Sequence, residues 1–128
     1  MNSTVINNTS TLLGRAMLSA MFILAGIDKI GGYAGTQGYM ESVGVPGFVL
    51  PLVIALEILG GIAVLVGYRA RVAAFLLGGF TFLAAVIFHS DFSQQMQSIL
   101  FMKNIAISGA LLMLFANGPG QWAIKSDS

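Results

Sequence analysis

The sequence predicts an all-α, polytopic membrane protein built as a four-helix transmembrane bundle. Three observations carry this. Of 128 residues, 56% are hydrophobic and 9% charged, whereas soluble domains carry about a quarter charged residues. Mean hydropathy is +0.86. Four apolar runs approach the roughly 20 residues that a helix needs to cross a bilayer. They lie at about Thr11–Ile27, Phe48–Gly67, Val72–Phe88 and Ile99–Ala116, and the whole chain, 1–128, reads as one integral membrane domain.

The first span is the shortest. Twelve uncharged residues separate Arg15 from Asp28, so Arg15 must snorkel toward the headgroups or find a partner. A cleaved signal is not expected, because no basic residue precedes Arg15 and the apolar run ends in Gly26-Ile27-Asp28-Lys29 without a small-x-small site. The loop from Asp28 to Gly47 is rich in glycine and aromatics and is expected at the interface. Tyr33 and Tyr39 suit the headgroup belt, and Thr36 to Ser42 suits a short helical turn before Pro46. Pro46 and Pro51 both suit a first helical turn, which leaves the start of the second span open. Spans two and three are joined by the tight connection Gly67-Tyr68-Arg69-Ala70-Arg71, and Asn117-Gly118-Pro119-Gly120 stops the fourth, with Trp122 as an interfacial anchor.

Four spans put both termini on one side. Arg69, Arg71, Lys125 and Arg15 fall on that side and only Lys29 and Lys103 oppose them, so the positive-inside rule predicts cytoplasmic termini. The N-x-S/T triplets at Asn2, Asn7 and Asn8 then read as chance in a polar tail. Six basic residues nearly balance five acidic ones, which leaves no basic stripe for nucleic acid. The absence of cysteine excludes thiol redox chemistry and thiolate metal sites. No metal site is expected, and any redox role must borrow its electrons.

Polar residues inside the spans are the informative ones, since a charge at the bilayer centre costs at least about 2.5 to 3.5 kcal/mol. Arg15, Ser19, Phe22, Gly26 and Lys29 share one helical face. So do Glu57, Gly60, Gly61, Val64 and Gly67 in span two, and Gly78, Thr81, Ala85 and His89 in span three. In span four, Lys103 and Asn104 precede Ser108 at helical spacing. At 1.5 Å per residue Glu57 lies about 9 to 14 Å below the outer boundary and Lys103 about 6 Å. A Glu57–Lys103 ion pair is therefore in reach, with His89 and Asn104 as hydrogen-bond neighbours, and Arg15 is the alternative partner for Glu57. Arg15, Lys29, Glu57, His89, Lys103 and Asn104 form the candidate ligand-binding set of a polar cavity. The plainer reading is that such groups serve as interhelical bonds of about 1 kcal/mol.

These polar residues and their glycine neighbours fall in the order of a known family. Gly14-Arg15, Gly26 with Lys29, Gly35-Thr36-Gln37, Gly44-Val45-Pro46-Gly47, Glu57-Ile58-Leu59-Gly60-Gly61, Phe88-His89 and Phe101-Met102-Lys103-Asn104 carry the match. The chain resembles the DoxX family of small bacterial inner-membrane proteins from about Leu12 to Gly120. The resemblance implies a four-helix transmembrane fold in the bacterial inner membrane and an association with quinone, thiosulfate:quinone oxidoreductase or oxidative-stress systems. It does not carry thiosulfate chemistry onto these residues, which include no haem-type histidine pair and no flavin-binding segment. The expectation is a membrane module holding a quinone or lipid headgroup, at most one subunit of an oxidoreductase, with a redox protein or a second copy of the chain as candidate partner besides the bilayer. The alternative is an accessory scaffold of a membrane complex with no ligand of its own. A transporter or proton channel would require an oligomer, because four helices offer no discontinuous helix beyond the Pro51 region.

Overall fold

The computed structural model describes residues 3–124 and is helical almost throughout. Five helices follow in order: α1 (Ser3–Gly31), α2 (Tyr33–Ser42), α3 (Leu50–Val66), α4 (Ala70–Phe88) and α5 (Gln95–Asn117), with a single 3-10 turn, Gly47–Val49, leading into α3. Counting that turn with α3, four of these segments are long and apolar enough to cross a membrane. Lys125 and Asn2 lie outside the described residues.

The first span is longer than its apolar run. Helix α1 starts at Ser3 and has 29 residues, because the polar positions that seemed to limit it are satisfied by tertiary partners. Asn8 Nδ2 donates to Gln121 Oε1 at 3.2 Å, and Arg15 is buried against backbone carbonyls described below. The buried face of α1, Asn8, Arg15, Ser19, Phe22 and Gly26, follows the 3.6-residue period of an amphipathic helix. At Gly31-Gly32 the chain turns into α2, a ten-residue helix where a short turn was expected. Helix α3 carries Pro51 in its first turn, where a missing N–H breaks no intrahelical bond.

Helix α3 ends at Gly67, whose φ of +76° is a left-handed value open to glycine at no steric cost. Its N–H and that of Tyr68 both donate to the Ala63 carbonyl. The chain then reverses through Arg69 into α4, whose inner face is Ala70, Ala73, Ala74, Leu77, Thr81 and Ala85.

Helix α1 packs along α3, α4 packs along α5, and α3 joins the two pairs through α4. Small residues set these distances. A Cβ on Gly61 would stand 2.8 Å from Ile23 Cγ1 and 3.3 Å from the Ser19 carbonyl, so glycine is what lets α1 and α3 approach. Across the other pair, Ser108 Oγ donates to the Gly78 carbonyl at 3.3 Å. The core is slender, with Phe22, Val64, Ala73, Ala74, Leu77, Leu111 and Leu114 at its centre. Large apolar side chains such as Met17, Phe48 and Leu52 point outward, the arrangement of a bundle solvated by lipid rather than water.

Candidate functional site

Polar groups gather at both ends of the bundle, and the two gatherings differ in kind. At the end where the N-terminal half of α1 meets the chain after α5, Arg15 is 3% exposed. Its Nε donates to the Val64 carbonyl at 3.0 Å and its Nη2 to the Leu65 carbonyl at 2.8 Å. Its Nη1 donates to the carbonyls of Pro119 at 2.7 Å and Trp122 at 2.8 Å. The last turn of any helix leaves carbonyls without intrahelical donors and carries a partial negative charge. Here α1 supplies the cap for α3 from outside, while Ile124 N–H donates to the remaining Val66 carbonyl at 2.8 Å. Arg15 is thus neither the partner of Glu57 nor a wall of the polar cavity, contrary to the sequence expectation. Every bond it makes goes to backbone carbonyls that α3 and the C-terminal segment could not satisfy alone.

The other end holds a cavity of about 380 Å³. Helix α3 brings Glu57 to it, 4% exposed. The carboxylate pairs with Lys29 of α1, Nζ to Oε1 at 2.9 Å, and Oε1 receives no other hydrogen bond among the described residues. The expected Glu57–Lys103 pair is therefore replaced by Glu57–Lys29. The packing order explains the change. Depth alone allowed either lysine, but α3 lies against α1, where Gly26 leaves room at the Glu57 Cβ and Lys29 follows one turn later. Lys103 is carried by α5, beyond α4, and faces the same cavity from the far side.

Lys29, Glu57, His89, Lys103 and Asn104 all line this cavity. His89 closes α4, and its Nδ1 lies 2.9 Å from Gln97 Oε1 of α5, which ties the adjoining ends of those helices. Thr81, expected on the inner face of span three but not among the candidate site residues, also faces the cavity, and its hydroxyl donates to the Leu77 carbonyl. Sequence reasoning did not place α2 there either. Thr36, Tyr39 and Met40 of α2 reach the cavity. Tyr39 stacks on Phe88 at a centroid distance of 5.5 Å and donates to the Phe88 carbonyl at 3.4 Å. Met40, buried where its neighbours in α2 are half-buried or exposed, is the residue whose apolar character hinted at this docking. Among the described residues no group of histidines and carboxylates could hold a metal ion.

Comparison with known proteins agrees with the motif resemblance. The family model described as DoxX matches residues 10–90. Inner membrane protein YqjF of Escherichia coli (strain K12) is 50% identical over 119 residues, covering 93% of this chain and 92% of that protein. Inner membrane protein YphA of the same organism is 35% identical over 123 residues, 91% of this chain and 86% of its own. Putative oxidoreductase CatD of Bacillus subtilis (strain 168) is 32% identical over 77 residues, 60% of this chain and 57% of its own. No solved structure matches the chain significantly.

Proposed function

The chain belongs to the DoxX family and is a multi-pass inner-membrane protein, and from that premise we propose that its bundle holds the polar head of a small lipophile, a quinone headgroup or a lipid, in the cavity beside Glu57. The observation that carries this reading is an ion pair with a buried carboxylate forming one wall of a cavity whose other walls bear His89, Lys103 and Asn104. Volumes of 300 Å³ and above with a few convergent polar groups are typical of ligand sites. Intramembrane ionisable groups kept at such cost are functional candidates by default.

The donor set fits a headgroup bearing oxygen acceptors. The Asn104 amide has no hydrogen-bond partner and Lys103 no ion-pair partner among the described residues, so both are available to a carbonyl oxygen. A bound quinone would supply the two-electron redox chemistry, with electrons delivered by a partner protein. This chain's own share is to orient the head, exclude water and offer proton-carrying groups in Glu57, Lys29 and His89. The name of the Bacillus subtilis relative, putative oxidoreductase, is consistent with a redox setting. In this reading Arg69 and Arg71 hold the termini in the cytoplasm and the cavity lies toward the outer face. Since the chain has no cysteine, a single cysteine at Ser93 should react with a membrane-impermeant maleimide on intact spheroplasts, and one at Tyr68 should not.

Mass spectrometry of organic extracts from the purified protein and its Glu57→Gln variant tests the site. A stoichiometric quinone or specific lipid in the wild type, lost from the variant, is the expected result. Only bulk phospholipid in both would overturn the ligand reading and leave a scaffold, with Lys29–Glu57 serving assembly alone.

A further inference from the structure

The packing order leaves one seam of the bundle open. Helices α1 and α3, α3 and α4, and α4 and α5 pack along one another, but α1 and α5 have no comparable contact. Both nonetheless wall the same cavity, α1 with Met21, Ala25 and Lys29, α5 with Lys103, Asn104 and Ile107. A gap between two transmembrane helices faces lipid, so whatever enters there comes from the bilayer. Helix α2 meanwhile lies over the outer end, held by Tyr39 on Phe88.

Charge says what kind of molecule would enter. Lys29 is committed to Glu57. Lys103, eight residues into α5 and so about 12 Å along the helix, has no carboxylate partner among the described residues. Asp28, Glu41 and Asp91 are not in the cavity wall, and Asp91 is taken up by Ser93 and Gln94. Counting histidine neutral, the cavity carries one uncompensated positive charge, with the partnerless Asn104 amide next in sequence. A neutral headgroup could accept a hydrogen bond from that exposed ammonium but would leave its charge uncompensated, whereas an anionic oxygen would gain a charge-assisted hydrogen bond.

We propose that the cavity takes a lipophile with an acidic headgroup, a carboxylate or phosphodiester on an apolar chain, admitted from the bilayer between α1 and α5 and selected by Lys103. The proposal rests on the lipophile-binding reading above and narrows its ligand class.

The full chain in an uncharged maltoside detergent can be titrated with palmitate, hexadecanol, dioleoylphosphatidylglycerol, dioleoylphosphatidylcholine and ubiquinone, with occupancy read by native mass spectrometry. Palmitate should outcompete hexadecanol, or the phosphatidylglycerol the phosphatidylcholine, and whichever anion binds identifies the source as fatty acid or phospholipid. Lys103→Met should weaken that anion about tenfold while leaving hexadecanol unchanged, and Lys103→Arg should retain it. Because the Lys103 ammonium has no ion-pair or hydrogen-bond partner among the described residues, Lys103→Met should keep the wild-type melting temperature, which separates lost binding from lost folding. If ubiquinone or hexadecanol binds as tightly as the anions, the acidic-head inference is overturned and the lipophile reading survives. An anion preference that persists in Lys103→Met overturns the assignment of Lys103. If no probe binds saturably, both readings fall.

Discussion

At the end of the bundle where the termini meet, a buried guanidinium gives four hydrogen bonds to four backbone carbonyls. At the opposite end a buried carboxylate has a single ionic partner among the described residues and borders open space. The first arrangement uses up the hydrogen-bonding capacity of both sides and closes the fold, joining α1, the end of α3 and the segment after α5. The second leaves capacity over, in Lys103 and Asn104, and lines a cavity with it. Two charges buried in one small membrane protein thus sit in unlike settings, one tied into the fold by backbone carbonyls and one beside the cavity proposed above as a binding site.

The comparison is broken most severely at Arg15. Arg15→Met strands carbonyls that cost about 1 to 3 kcal/mol each when unpaired. The expected loss is roughly 4 kcal/mol, read as a large drop in thermal midpoint in detergent. Arg15→Lys should recover only part of it, because one ammonium cannot reproduce the planar fork. An Arg15→Met protein as stable as wild type would mean that the capped end is not what closes the fold.

Glu57→Leu and Lys29→Met come next. Removing one partner of a buried pair leaves an uncompensated charge and costs about 3 kcal/mol, lessened here because Lys29 is 28% exposed. The double variant should be more stable than either single one, and strictly additive losses in a double-mutant cycle would deny the pairing. Whatever its stability, the double variant should fail to retain the proposed lipophile in organic extracts, which distinguishes this end from the Arg15 end.

Between the two ends lies the α1–α3 contact. Gly61→Ala should cost about 1 to 3 kcal/mol by overpacking against Ile23. Gly79→Ala, with open space around its added Cβ, should be neutral or stabilising by about 0.5 to 1 kcal/mol through helix propensity. His89→Phe, which removes the bond to Gln97, should likewise have a small cost of about 1 kcal/mol, with its larger consequence in occupancy by the proposed lipophile.

Much of this was legible beforehand. The inner faces of α1 and α3 were readable residue by residue, because a helix repeats every 3.6 residues and lipid selects apolar side chains everywhere else. Arg15, Ser19, Phe22 and Gly26 are buried together as that period requires, and so are Glu57, Gly61, Val64 and Gly67. The docking of α2 was barely legible, since its sequence is polar and glycine-rich, with Met40 its one buried residue and Tyr39 held by the distant Phe88. The extension of α1 to Ser3 was hidden too, because the groups that satisfy Asn8 and Arg15 lie more than 45 residues away in the chain.

The sequence by itself determined that the chain is a membrane bundle of four spans, which faces of the first two spans turn inward, and which ionisable groups sit at membrane depth. These follow from composition and local periodicity. The tertiary structure alone decided who partners whom. Depth along a helix is local information, but whether Glu57 meets Lys29, Lys103 or Arg15 depends on which helix lies beside α3. That order is fixed by close approach at glycines such as Gly61 and by the carbonyls that Arg15 caps, interactions between residues distant in the chain.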